Sequence, residues 1–157
     1  MTTLRIRLAV AGLLAVLLGG CSMDVEPLDL RSVARAWSPN DALACPVGRC
    51  SAEADLEVPV YALTSEVLAA LIHGIATAEP RTEQVAESVA LDQRIYVQRS
   101  ETLGLPDIIR VQLVSLPEGA SAILYSRARY GFWDIGVNRK RLRRWLATLE
   151  AAARPES

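Results

Sequence analysis

The sequence predicts a single α+β domain whose helices pack on one face of an antiparallel sheet. Apolar residues recur at helical spacing after Thr64 and again after Asn138, and between these stretches the period falls to two in four successive segments. The connections between those four segments are short and carry turn residues, as antiparallel neighbours require. Helices that flank a block of strands, rather than alternating with it, put the helical layer on one side of the sheet.

Leu56–Tyr61 alternates as a short first strand, and Pro59 within it places it at an edge, because proline cannot donate to the ladder. Thr64 has the character of an N-cap. Behind it Val67, Leu68, Leu71, Ile72 and Ile75 form a helical stripe, with Glu66 in the first turn and Gly74 and Pro80 towards the end. Residues 82–89, 94–101, 108–116 and 120–129 read as the four strands. Leu91-Asp92-Gln93 turns between the first two, and Pro117-Glu118-Gly119 joins the last two. The final helix starts near Asn138: Leu142, Trp145, Leu146 and Leu149 share one side, and Arg139, Lys140, Arg141, Arg143 and Arg144 largely occupy the other. This order, strand, helix, four antiparallel strands, helix, spans residues 55–153. A sheet curving around a helix leaves room for an apolar groove, the kind of concavity that holds a small ligand.

The N-terminus carries an address. Arg5 and Arg7 precede an apolar run from Leu8 to Leu18, followed by Gly19, Gly20 and Cys21. That order is a secretory signal, and the run is too short for the roughly 20 apolar residues a membrane-spanning helix needs. Leu18-Gly19-Gly20-Cys21 resembles the bacterial lipobox. The resemblance implies that residues 1–20 are a lipoprotein signal peptide and that Cys21 becomes an acylated, palmitate-bearing first residue. Ser22 after the cysteine implies, by likeness to enterobacterial sorting signals, the outer membrane facing the periplasm. Residues 21–54 then read as a tether with Pro27, Pro39 and Pro46 scattered through it and a short helix within Leu30–Trp37. Its reach is roughly 30 Å, so the domain works close to the bilayer.

Removing residues 1–20 leaves 15 basic against 18 acidic residues, a net charge of −3, so charge gives no case for nucleic acid as a partner. With Cys21 accounted for, Cys45 and Cys50 remain in a chain bound for an oxidising compartment, and Pro46 and Gly48 between them suit a turn. A local disulfide is the leading reading. The rival is a redox or metal pair, but the gap is not that of a redox motif and no second ligand pair exists for zinc.

Enzyme signatures are sparse. His73 is the sole histidine, and neither a nucleophile elbow nor a glycine-rich phosphate loop is present. No cofactor or metal is implied, and His73 falls within the first helix off its most apolar stripe.

The most distinctive stretch runs from Tyr125 to Arg141. Ser126, Arg129, Gly131, Asp134, Gly136, Val137, Asn138 and Arg139 match the C-terminal signature of the bacterial family catalogued as domain of unknown function 1499, which this chain resembles. Cys45-Pro46, Cys50 and Pro106-Asp107 extend the resemblance, while Ala128 and Ile108 depart from it. The resemblance implies a shared fold and carries no activity.

Physically, Gly131 and Gly136 let the chain turn from strand to helix, and Asp134 or Asn138 can accept hydrogen bonds from amides at the helix start. Arg129 can pair with Asp134 or Asp107 and lock the corner. The sharper alternative makes Arg129, Asp134, Asn138 and Arg141 the rim of a binding pocket for a polar or anionic headgroup. Seven basic residues against one acid lie between Arg127 and Arg144, interleaved with Tyr130, Phe132 and Trp133. Either the aromatics pack into the core beneath a solvated basic face, or they meet anionic lipid. The expectation is a non-enzymatic envelope lipoprotein whose domain binds a small amphipathic ligand or a protein partner near the membrane. The alternatives are a structural or assembly lipoprotein acting through its surface and, third, a hydrolase.

Overall fold

The computed structural model describes residues 25–35 and 39–154; the signal segment, Cys21 and Trp37 lie outside the described residues. Strands β1 (Asp41–Cys45), β2 (Leu56–Glu57), β3 (Thr82–Ser88), β4 (Gln93–Arg99), β5 (Pro106–Leu116) and β6 (Gly119–Ala128) form one mixed sheet. Their order is β2-β1-β6-β5-β4-β3. Helices α1 (Ser65–Ala78) and α2 (Val137–Ala152) complete the domain.

The four-strand meander β3 to β6 is antiparallel throughout and matches the sequence boundaries to within two residues. Two features of the sheet correct the reading of 21–54 as a tether. Asp41–Cys45 is a strand inside the sheet, antiparallel to β6, and β2 runs parallel to it. A strand covered on both faces shows an unbroken apolar run rather than alternation, and Ala42, Leu43, Ala44 and Cys45 are all buried. The segment before it is equally committed. Leu30–Ser32 forms a single 3-10 turn, capped by the Asp29 carboxylate, and Leu30 is fully buried. β2 lies at the edge but is only Leu56–Glu57, shorter than the 56–61 strand expected and ending before Pro59, and Tyr61 rejoins the sheet through a bridge to Ala120.

Both helices pack on one face. Leu68, Ala69, Ile72 and Ala76 of α1 join Leu142, Trp145 and Leu149 of α2 over Tyr96, Ile109, Val111, Ala122 and Leu124. The Trp145 ring meets Tyr96 edge-on at 6.2 Å, so side chains interlock at the centre of the helix–sheet layer, while a concavity of about 270 Å³ lies at its margin between α2 and the β2 edge, beside Leu56, Tyr61 and Leu146. The Thr64 hydroxyl caps α1 by accepting from the Val67 amide, while Val67 itself points to solvent. The opposite face is covered by the N-terminal segment: Leu30 and Val33 pack with Leu43, Cys45, Val114, Ile123 and Tyr125. Cys45 and Cys50 form a disulfide, and Cys50 lies against the same cluster.

Candidate functional site

The chain leaves β6 at Ala128 and enters α2 at Val137, and the intervening loop is fixed from beneath by a buried polar network. Asp134 accepts hydrogen bonds from the Gly136 amide (2.8 Å), the Asn138 amide (2.9 Å) and the Asn138 side-chain Nδ2 (2.7 Å). It thereby satisfies amides that the first turn of α2 cannot satisfy internally, a cap made from two residues upstream because Gly136 stands at the N-cap with φ +73°. Asn138 is fully buried. Its Oδ1 accepts from Ser126 and from Arg141, and its Nδ2 also donates to the Asn40 carbonyl at 3.1 Å.

Arg141 is the hub. Its guanidinium donates to Gln98 Oε1 at 2.6 Å, Ser126 Oγ at 2.8 Å, Asn138 Oδ1 at 2.6 Å and Asp107 Oδ2 at 2.6 Å. The residue is only 3% exposed, so the ion pair with Asp107 and the three neutral acceptors replace the water it has lost. Asn40 adds a strap across the loop, donating from Nδ2 to the Gly131 carbonyl at 2.7 Å while its own carbonyl accepts from the Ala128 amide.

The four residues expected at a pocket rim therefore divide. Asn138 and Arg141 are buried with their donors engaged, and Asp134 is committed to the helix start, so none of the three is available to a headgroup. The partner of Asp107 is Arg141 rather than Arg129: Arg129 is exposed, lies over the Tyr130 ring at 5.9 Å and bonds through its backbone amide to the Pro106 carbonyl. Helical spacing sets Arg141 apart from its four basic neighbours, because Asn138, Arg141, Leu142, Trp145 and Leu149 fall on one stripe of α2. Only the 3.6-residue turn of α2, set against the depth of β4 and β5, turns that one arginine inward.

A second polar cluster holds the N-terminal segment on the other face. Arg35 bridges Asp41 and Asp55, each at 2.8 Å, and the Tyr125 hydroxyl donates to Asp41 at 2.7 Å. Burial, with the Asp41 carboxylate beside it, pushes the Tyr125 phenol well above its ordinary range. His73 faces the Tyr96 hydroxyl at 3.2 Å, and burial raises the Tyr96 phenol to about 12. Among the described residues no three His, Cys, Asp or Glu side chains gather in a way that would hold a metal ion, and no helix is long and apolar enough to cross a membrane.

Residues 50–149 match the family described as Protein of unknown function (DUF1499). The chain belongs to the DUF1499 family. Its signature residues are therefore seen in a structural role: Ser126, Asp134 and Asn138 build the network under the loop, and Gly131 and Gly136 adopt the left-handed conformations that shape it, with φ of +90° and +73°. Among solved structures, the crystal structure of protein CV1439 from Chromobacterium violaceum is similar, with 14% identity and a TM-score of 0.41 over 63% of this chain and 95% of that one. No curated protein matches the chain.

What the DUF1499 domain presents to solvent at this corner is apolar. Tyr130 is 59% exposed, Phe132 55%, Trp133 70% and Ile135 74%, which rules against the alternative in which the aromatics pack into the core. The β4–β5 connection lies beside this loop, because the Arg129 amide bonds the Pro106 carbonyl, and it adds exposed Leu103 and Leu105. One end of the sheet thus carries two adjacent loops rich in apolar side chains. A fully satisfied network beneath the longer loop keeps its backbone in place while those side chains stay in water.

Proposed function

We propose that this DUF1499 protein is a bacterial envelope lipoprotein, anchored by lipid on Cys21, whose domain is a non-catalytic binding module acting through the β6–α2 loop. The observation that supports this reading is the exposure of Tyr130, Phe132, Trp133 and Ile135 on a loop whose backbone is pinned by Asp134, Asn138 and Arg141. Contiguous exposed apolar surface on a folded domain marks a place of interaction, and holding it rigid lowers the ordering cost of contact. The interlocked centre of the helix–sheet layer favours surface action over an internal pocket for a small ligand. Lipid on Cys21 keeps that surface close to the bilayer, where amphipathic partners are concentrated.

The test is photocrosslinking in the envelope. A photoreactive residue placed at position 133 of the full-length chain should capture lipid or a protein neighbour, whereas the same residue at exposed Thr148 should not. Equal labelling at both positions would refute the loop as the binding surface. Metabolic labelling with palmitate, lost in Cys21→Ser, checks the anchor independently.

A further inference from the structure

We infer that the β6–α2 loop seats on an anionic bilayer, the same membrane that holds the Cys21 lipid. The inference rests on the lipoprotein reading above and names its partner. Two observations carry it, one of charge and one of chain direction.

Arg127, Arg129 and Lys140 are exposed around the apolar loop. Of the acids at this end, Asp134 is taken by backbone amides and Asp107 by Arg141, while Glu101, across 3.9 Å from Arg81, and Glu26, beside Arg110, stay exposed. Arg139, also exposed, leans towards Asp55 at 3.9 Å. The charge left facing outward beside Tyr130, Trp133 and Ile135 is positive. Amphipathic aromatic rings at headgroup depth, flanked by arginine and lysine, complement an anionic lipid surface.

The N-terminal segment runs towards the same end. The Leu30 amide bonds Gln112, the Leu28 amide bonds Gln93 opposite it, and the Glu26 carbonyl accepts from Arg110. Followed backward from Leu30, the chain therefore passes from the level of Gln112 to that of Arg110, in the direction of Pro106, which is bonded to Arg129. Arg110 lies four strand residues from Pro106, roughly 13 Å. The five residues from Glu26 back to Cys21 span up to about 17 Å. A lipid on Cys21 can thus enter the bilayer beside the loop, so anchor and loop share one membrane without bending the domain.

The experiment uses the full lipidated chain reconstituted into vesicles of phosphatidylcholine alone or phosphatidylcholine mixed with phosphatidylglycerol, both with brominated acyl chains. Quenching of Trp133 emission, taken as the difference from Trp133→Phe, reads insertion of the loop rather than of the anchor. The expected result is quenching in the phosphatidylglycerol vesicles that weakens as salt rises and falls about ten-fold in Arg129→Glu/Lys140→Glu. Equal quenching in both vesicles would overturn the anionic partner. Absence of quenching in both would overturn seating on the bilayer altogether; if position 133 still crosslinks a protein in the envelope, the binding-module reading survives and this inference alone falls.

Discussion

Arg141 and Asp107 stand 34 positions apart and meet at 2.6 Å in the seam between α2 and the start of β5. The pair ties the helix that follows the apolar loop to the strand that flanks it, and Gln98, Ser126 and Asn138 take three of the other four guanidinium N–H groups. Corner and loop are therefore one mechanical unit.

Replacing Arg141 by methionine should destabilise the domain by about 3–5 kcal/mol, because it leaves the largely buried Asp107 without its cation and removes a donor from Gln98, Ser126 and Asn138. Arg141→Met with Asp107→Leu should recover part of that loss. Urea denaturation in a double-mutant cycle measures the coupling, and strict additivity would show that the pair contributes nothing of its own.

Asp134→Ala removes the acceptor for two backbone amides and the Asn138 side chain, and should cost about 1–2 kcal/mol. Asp134→Asn keeps one acceptor oxygen and should cost less. Amide exchange at Gly136 and Asn138 should accelerate in the alanine variant before global unfolding does, since the first turn of α2 loses its cap.

Gly119 opens β6 with φ +145°, and a Cβ there would collide with the Tyr61 carbonyl oxygen. The same carbonyl accepts from the Ala120 amide in the bridge that returns Tyr61 to the sheet. Gly119→Ala should therefore cost about 2 kcal/mol or more. Gly104→Ala, whose φ of +64° is strained but whose Cβ meets open space, should cost about 1 kcal/mol. Thermal melts of the two variants separate collision from backbone strain.

Arg144 donates two 2.8 Å hydrogen bonds to Glu79, and this contact holds the Glu79 carboxyl below its ordinary value of 4.5. A carboxylate whose pKa is lower in the folded state binds fewer protons there than when unfolded, so its contribution is complete above 4.5 and disappears as pH falls through the lowered value. With Arg144 half exposed, that contribution is at most about 1 kcal/mol. Wild type should lose more stability than Glu79→Gln between neutral pH and about pH 3 in urea titrations; parallel losses would exclude the linkage.

Local pattern was enough for the meander and both helices. The period-two runs of β3 to β6, the Thr64 cap and the stripe of Leu142, Trp145 and Leu149 depend on residues near one another in the chain, so their signals survive in a linear sequence. The short loop between Cys45 and Cys50 likewise made their bond legible. β1 was hidden because a strand buried on both faces loses its alternation, and a five-residue strand between Pro39 and Pro46 leaves little else to read. The 25–35 segment was hidden for a different reason: its role comes from Gln93, Gln112 and Tyr125, which lie more than 55 residues away.

The order of α1, the β3–β6 meander and α2, the positions of their turns and the signature that places the chain in the DUF1499 family are legible in the linear chain. How deeply the inward stripe of α2 is buried, and which way the aromatics of the preceding loop face, follow from packing in three dimensions. Helical phase and the depth of the sheet bury Asn138 and Arg141, whereas the left-handed glycines at 131 and 136 lift Phe132, Trp133 and Ile135 into solvent. Burial follows the direction of each side chain relative to the packed layers, and composition carries no such direction.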